Sequence, residues 1–278
     1  MQVIEYENAK TFLDDTRNRL MESEAANAII LSYAENQNRG VESAMSTRFY
    51  CVTEDDKPLL PAMFTPEVVP LLTEGPGEAA RLFARYLFPK NPRIEGVNGP
   101  ADATLEFADE WERLTRCNLE IRTNLRLYDC IKVANVELAA GHSKQATQDD
   151  FELVKHWRQA FRNDVNSTIG TTDEVIRCHI NEGRYYLWVT EHPASMAHLA
   201  GETVNGGMIG AIYTPPEQRE HGYATAVTVA ATQVILDRGK KFAILYTNLA
   251  NPTSNSIYQK IGYKPITDST AWKFTPAI

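Results

Sequence analysis

One passage constrains the fold of this chain more than any other. Met208-Ile209-Gly210-Ala211-Ile212-Tyr213 is an apolar run, Pro215-Pro216 turns the chain, and a helical pattern resumes at Gly222-Tyr223. A strand that feeds a helix through such a turn leaves the helix's first N–H groups without intrahelical acceptors. Together with the positive end of the helix dipole they favour an anion. Gly222 lets the backbone come close to a ligand, Ala224 is the next small residue, and Arg219 adds a positive charge. Loops of this kind usually carry several glycines, whereas this one has a single glycine and a glutamate, Glu220. Taken alone, the pattern reads equally well as an ordinary strand-to-helix turn.

The surroundings of this passage form a βα-rich pattern. Asp149–Asn163 is amphipathic, with Phe151, Val154, Trp157 and Phe161 on one stripe and a capping segment at Thr147–Asp150. Thr171–Asn181 predicts a second helix, capped by Thr171 or Thr172. Tyr185–Thr190, Ser195–Glu202 and Gly207–Tyr213 read as three strands joined by hairpin-like turns. Tyr223–Arg238 is a helix with Gly239 at its C-cap, Phe242–Thr247 a strand, Pro252–Ile261 a short helix, and Tyr263–Phe274 extended. This succession, over about 140 residues, predicts one α/β (α+β) domain, with a mixed central sheet flanked by helices.

The residues of the turn, Arg219-Glu220-His221-Gly222-Tyr223-Ala224, resemble the Arg/Gln-x-x-Gly-x-Gly/Ala motif of the GNAT superfamily of N-acetyltransferases. A second stretch, Leu245 to Tyr263, resembles that family's strand, Asn, helix, Tyr and closing Gly-Phe/Tyr. Both lie in the expected order, within the last 140 residues or so. The resemblance implies the GNAT acyl-CoA N-acyltransferase fold, with acetyl-CoA as co-substrate and no metal. It places Ile212, Tyr213, Thr214, Arg219, Glu220, His221, Gly222, Tyr223, Ala224 and Thr225 along the CoA phosphates and thioester, and Asn251, Ser254 and Tyr258 near the pantetheine; Asn255 is a weaker candidate. Glu220 departs from the family, many of whose members have glycine there. A carboxylate facing the pyrophosphate would repel it, so its side chain is expected to point outward.

The implied chemistry is direct attack of an amine on the thioester carbonyl. An ammonium with pKa of about 10.4 must first lose a proton, to a base or through water. A main-chain N–H near Ile212 or Tyr213 would polarise the carbonyl. Tyr258, seven residues after Asn251, is the expected proton donor to the thiolate; the alternative is a tyrosine packed on the core. Asn251, followed by Pro252, also reads as a helix cap. For the base, Glu202 is taken first, at the end of the strand before the central one. His198, on the same face of that strand, and Glu191 are the alternatives. Each of the three also reads as a solvated or structural residue.

The first half has helix and strand runs at 7–39, Ser46–Val52, Ala62–Leu72, Glu78–Phe88, Arg93–Val97 and Ala101–Arg116, and Ile121–Val136 is extended. Gly75-Pro76-Gly77-Glu78-Ala79 does not reproduce the loop motif. The chain is also similar to tandem GNAT-like proteins with a degenerate first domain. Residues 1–125 are therefore read as that domain, a cover or pocket wall, and 126–278 as the acetyltransferase domain.

The net charge of -8 argues against sequence-independent nucleic-acid binding and suits a cationic amine of a small molecule or protein. No run of about 20 apolar residues spans a membrane, and charges at the N-terminus argue against export. Four scattered cysteines fit free thiols, and a cytoplasmic location is expected. A rival reading is a non-catalytic acyl-CoA-binding or sensor protein. The sequence leaves the oligomeric state open, a dimer included.

Overall fold

The computed structural model describes residues 1–40, 47–65, 68–167 and 170–277. It forms two compact units. The first comprises Met1–Leu127, Thr247–Asn251 and Ile266–Ile278, the second Tyr128–Tyr246 and Pro252–Pro265.

The chain runs through β1 (Gln2–Tyr6), α1 (Ala9–Met21), α2 (Ala28–Asn38), β2 (Arg48–Glu54), β3 (Lys57–Phe64), β4 (Leu71–Leu72), α3 (Gly77–Leu87), β5 (Gly96–Pro100) and α4 (Ala101–Thr115). It continues through β6 (Asn118–Cys130), β7 (His142–Gln145), α5 (Phe151–Asp164), α6 (Asp173–Asn181), β8 (Tyr185–Val189), β9 (Pro193–Glu202) and β10 (Gly206–Tyr213). It ends with α7 (Tyr223–Asp237), β11 (Phe242–Asn248), α8 (Pro252–Ile261) and β12 (Lys264–Thr275).

In the first unit the strands are ordered β1-β2-β3-β4-β5-β12. β12 pairs antiparallel with β5, Ser269 opposite Pro100 and Lys273 opposite Gly96. Residues 266–275 thus belong with the first unit's sheet, although they lie within 126–278, the stretch expected to form the second domain. The helical reading of 7–39 resolves into two helices. Their break is held by Asn27, whose side-chain amide donates to the Leu20 carbonyl at 2.9 Å and satisfies one of the open groups at the end of α1. Ser46, at the start of an expected strand, and residues 66–67, within another, lie outside the described residues. Phe83, Phe107 and Trp111 centre one core, Phe12 and Phe49 another.

The second unit orders its strands β11-β10-β9-β8-β7. Two cores flank them. Ile209, Leu245, Ala226, Val227, Ala231 and Tyr258 pack on the α7 and α8 face. Tyr185, Met196, Ala211 and Tyr213 pack against Val154, Trp157 and Ile176 of α5 and α6. Before α5 lies a reciprocal cap: Thr147 N–H donates to the Asp150 carboxylate at 2.8 Å, while the Thr147 side chain receives the Asp150 N–H. Thr172 caps α6 through the Val175 N–H at 3.3 Å. β1 and β7 have no counterpart in the sequence reading. β7, His-Ser-Lys-Gln, has no apolar residue to mark a buried face. The described cysteines are free, with Cys178 exposed.

Candidate active site

β10 is the centre of the site. It pairs with β9 from Gly207 to Tyr213 but not regularly, with register shifts between Met208 and Ile209 and between Gly210 and Tyr213. Ala211 there has φ of +46°, a left-handed value rare for a residue with a Cβ. Such a bulge bends the strand and re-aims its backbone groups. Its effect appears on the other edge. The parallel register with β11 runs only from Gly206 opposite Phe242 to Met208 opposite Ile244. Beyond that, Ile209–Tyr213 and Leu245–Tyr246 have no register with each other among the described residues. The two strands part, and β10 presents ladder donors and acceptors to the gap.

At the start of the same pair the backbones are close. A Cβ added to Gly206 would run into the Phe242 ring, so any larger residue at the unsplayed end must displace that ring.

The gap opens toward the loop. Ser195 Oγ donates to the Tyr213 carbonyl at 3.0 Å and lies 2.9 Å from Thr214 Oγ1, fixing where the chain leaves the sheet. Pro216–Gln218 makes a 3-10 turn, then Glu220 at φ +68° and Gly222 at φ +80° bring the chain into α7. Gly222 holds the N-cap position and has no side chain with which to cap the helix. The first N–H groups of α7 therefore stay available to a ligand. His221 Nδ1–H donates to the Arg219 carbonyl at 2.7 Å, and its ring stacks on Tyr223 at 5.5 Å.

Arg219 serves the loop rather than an open anion site. Its Nε–H donates to the Thr214 carbonyl at 3.1 Å, and Nη2 pairs with Asp164 at the end of α5 at 2.7 Å. Glu220 is exposed, as expected of a residue that offers only its main chain. Its left-handed φ of +68° is a conformation that strains a side chain and favours glycine.

Tyr258 borders the gap from α8. It is buried in the same cluster as Ile209 and Leu245, the residues that follow the last paired couple. Its ring neighbours are Tyr263 at 6.0 Å and Tyr128 at 6.4 Å. Burial pushes the Tyr258 hydroxyl up to about 12, while a hydrogen bond from Ser254, one turn earlier, acts in the opposite direction. Asn255 accepts from Tyr128 Oη at 2.8 Å, which gives that side chain a structural role. Asn251 is exposed, and its N–H donates to the Asn248 carbonyl at 3.0 Å. Asn248, whose Oδ1 accepts from the Ala250 N–H at 2.8 Å, fastens this turn. An Asx turn of that kind is legible as Asn followed two residues on by a small residue.

The first choice of base, Glu202, needs correction. It lies opposite Gly207 at the beginning of β10, away from the loop. It pairs there with Arg238 at 3.1 Å and Lys240 at 3.3 Å. Arg238 follows the last turn of α7, a helix of 15 residues and so about 22 Å long. Burial would raise the Glu202 pKa, but Lys240 and Arg238 hold it below its ordinary value. A carboxylate held by two cations at the wrong end of the helix is a structural ion pair.

His198 lies opposite Gly210, beside the bulge, but is not free to take a proton. It is buried, stacks on Tyr185 at 4.4 Å, and its Nε2 is 3.0 Å from His179 Nδ1. Arg184 Nη1 approaches His179 Nε2 at 3.5 Å. A guanidinium only donates, which assigns the proton of His179 to Nδ1 and makes His198 Nε2 its acceptor. Burial, with Arg158 next, pushes the His198 pKa well below its ordinary value, and burial with Arg184 lowers that of His179 to about 4. Glu191, in the β8–β9 turn, is exposed and stands beyond the Met196–Tyr213 register, at the loop end of β10.

Among the described residues no group of acidic, His or Cys side chains is arranged to hold a metal, and no helix is long and apolar enough to cross a membrane.

Residues 192–273 match the family model described as FR47-like protein. No curated protein matches the sequence. Solved structures with similar folds include an acetyltransferase from the GNAT family from Colwellia psychrerythraea, 12% identical with TM-score 0.56, covering 99% of each chain. A GCN5-related N-acetyltransferase from Sphaerobacter thermophilus is 14% identical with TM-score 0.62, over 88% of this chain and 87% of that one. A tandem GNAT protein from the clavulanic acid biosynthesis pathway is 11% identical with TM-score 0.57, over 100% of both chains. At these identities the likeness is one of fold: the chain has the GNAT acetyltransferase fold, and its match to a tandem GNAT protein spans the whole length.

Proposed function

We propose that this chain, which has the GNAT acetyltransferase fold and an FR47-like segment, transfers an acetyl group from acetyl-CoA to a primary amine. The observation that carries this reading is the parting of β10 and β11 after Met208 and Ile244, directly before a loop that enters α7 through two left-handed residues. The unpaired edge of β10 offers ladder groups to an extended pantetheine. The open N–H groups at the start of α7 offer donors to the pyrophosphate. Ile212, Tyr213, Thr214 and the main chain of 219–225 are the proposed contacts.

In this reading the amine nitrogen bonds to the thioester carbon while an N–H near Ile212 or Tyr213 stabilises the oxyanion. The C–S bond then breaks, and the ammonium proton leaves through water. Tyr258 keeps its proton at neutral pH and donates a hydrogen bond to the departing sulfur. Full transfer from a hydroxyl near 12 to a thiolate whose acid has pKa of about 8.5 is uphill, so stabilisation of the charge is its main effect.

Release of free CoA from acetyl-CoA across a panel of amines tests the reading. Tyr258→Phe should lower turnover more than CoA affinity, and equal turnover in the variant removes Tyr258 from the mechanism. A second reading, a non-catalytic acyl-CoA binder, is favoured by the committed side chains of Glu202 and His198. CoA binding without release across the panel would establish it.

A further inference from the structure

The second unit buries two hydrogen-bond donors for which it supplies no acceptor. Tyr185 of β8 has no exposed surface, and its Oη has no hydrogen-bond partner. Arg158 of α5 buries its Nε, also without a partner, while Nη2 donates to Thr171 Oγ1 at 2.7 Å. Val154 and Trp157, one turn before and next to Arg158 on α5, pack with Tyr185 in one core, and the Arg158 charge acts on Tyr185, His198 and His179 alike. Leaving a buried donor unmet costs about 1–3 kcal/mol, and more for a charged group. Two such donors at one core mark a place built for an oxygen ligand.

The charge balance selects the ligand. Arg184, the other cation of the cluster, is paired with Glu182 at 2.6 Å. No carboxylate pairs with Arg158 among the described residues. The two histidines satisfy each other, and burial opposes their charging. One unpaired guanidinium and one phenol match the single charge and two oxygens of a carboxylate better than a dianionic phosphate. The location fits as well. Tyr185, His198 and Gly210 lie in one row across β8, β9 and β10, so the cluster is about 10 Å along the sheet from the bulge. Arg158 also lines a cavity of about 610 Å³ between α5 and α6, with Phe161, Thr171 and Ile176.

We propose that Arg158 and Tyr185 bind the carboxylate of the acyl acceptor, which is therefore an amino acid or another amine carrying a carboxylate a few bonds from its nitrogen. The role of that acid as acceptor rests on the acyltransfer reading, whereas the carboxylate site does not.

The test measures binding by calorimetry and ligand-detected NMR. The probes are glycine, alanine and leucine, each against its carboxamide, on the full chain and on Arg158→Gln, Arg158→Lys and Tyr185→Phe. Expected is at least one acid that binds tenfold or more tighter than its amide, with that preference lost in Arg158→Gln and weakened severalfold in Tyr185→Phe. Failure of every acid to bind, or equal affinity of acid and amide for the unaltered chain, overturns the proposal and leaves buried water as the partner of both donors. The comparison on the unaltered chain does not depend on how the variants fold. Free CoA release is followed in the same samples. Acid preference without release keeps the site and removes acyltransfer; release with no acid preference does the reverse.

Discussion

Glu220 offers the sharpest perturbation of the proposed CoA site, because its charge and its backbone conformation can be altered separately. Two phosphate charges about 7 Å from the carboxylate would each be repelled by about 0.6 kcal/mol in water. With a Debye length of ~30 Å at 0.01 M salt most of this survives, and at ~8 Å, near 0.15 M, less than half does. Glu220→Gln should therefore tighten CoA about fivefold at low salt and about twofold at physiological salt. Glu220→Gly should give the same change in affinity. Stability separates the two variants. Glutamine gives up a carboxylate near a helix N-terminus, a loss of about 0.3–1 kcal/mol. Glycine relieves a left-handed residue that costs about 1–2 kcal/mol, less about 0.5–1 kcal/mol of added chain entropy. The assay is calorimetric titration with CoA at two salt concentrations, together with denaturant unfolding of each variant. Unchanged affinity in Glu220→Gln at low salt, or a gain that does not shrink with salt, would refute the placement of the pyrophosphate at this loop.

Other expectations follow from the same geometry. Tyr258→Phe should lower turnover by about 10- to 100-fold with CoA affinity within about twofold, on the scale of a lost proton donor or transition-state hydrogen bond. Glu202→Gln should leave turnover unchanged and lower stability by less than about 1 kcal/mol, as for a half-exposed ion pair, which unfolding curves and a CoA-release assay would check. Buried His198 and half-buried His179 have folded pKa values below the unfolded value near 6.5, with His179 at about 4. The unfolded chain therefore takes up protons first, and stability should be complete above pH 6.5 and fall toward pH 4. The slope is at most about 1.4 kcal/mol per pH unit for each histidine, and urea titrations of the parent and His179→Gln should show the slope reduced in the variant. Gly206→Ala should destabilise by about 1–3 kcal/mol, since the added methyl meets the Phe242 ring, and a thermal melt would show it.

The loop is legible in the sequence because backbone requirements leave marks on residue type. A glycine at the helix start, a small residue two positions on and paired prolines before them each report a local constraint. The course of Arg219 and Glu202 is not legible. Both are charged residues whose partners, Asp164 for one and Arg238 and Lys240 for the other, are fixed by tertiary packing. The parting of β10 from β11 is equally hidden, since the bulge rests on Ala211, an alanine at positive φ that no propensity would select. The Arg158–Tyr185 pair leaves no mark in the sequence, where Arg158 looks like a surface residue on an amphipathic helix. The burial of its Nε shows only once α5 packs on the sheet.

The pairing of β12 with β5 bears on the order in which the polypeptide can finish folding. Ser269 Oγ donates to the Gly99 carbonyl across 170 residues of sequence, and Phe274 stacks on Trp111 at 6.2 Å. As synthesis proceeds, β5 emerges from the ribosome and waits with one edge bare until the entire second unit has been made. The first unit is thus begun first and completed last. A chain truncated after residue 125 would strand β5 as an exposed edge and remove Phe274 from its core, so the early part of the chain is the better place to look for chaperone dependence.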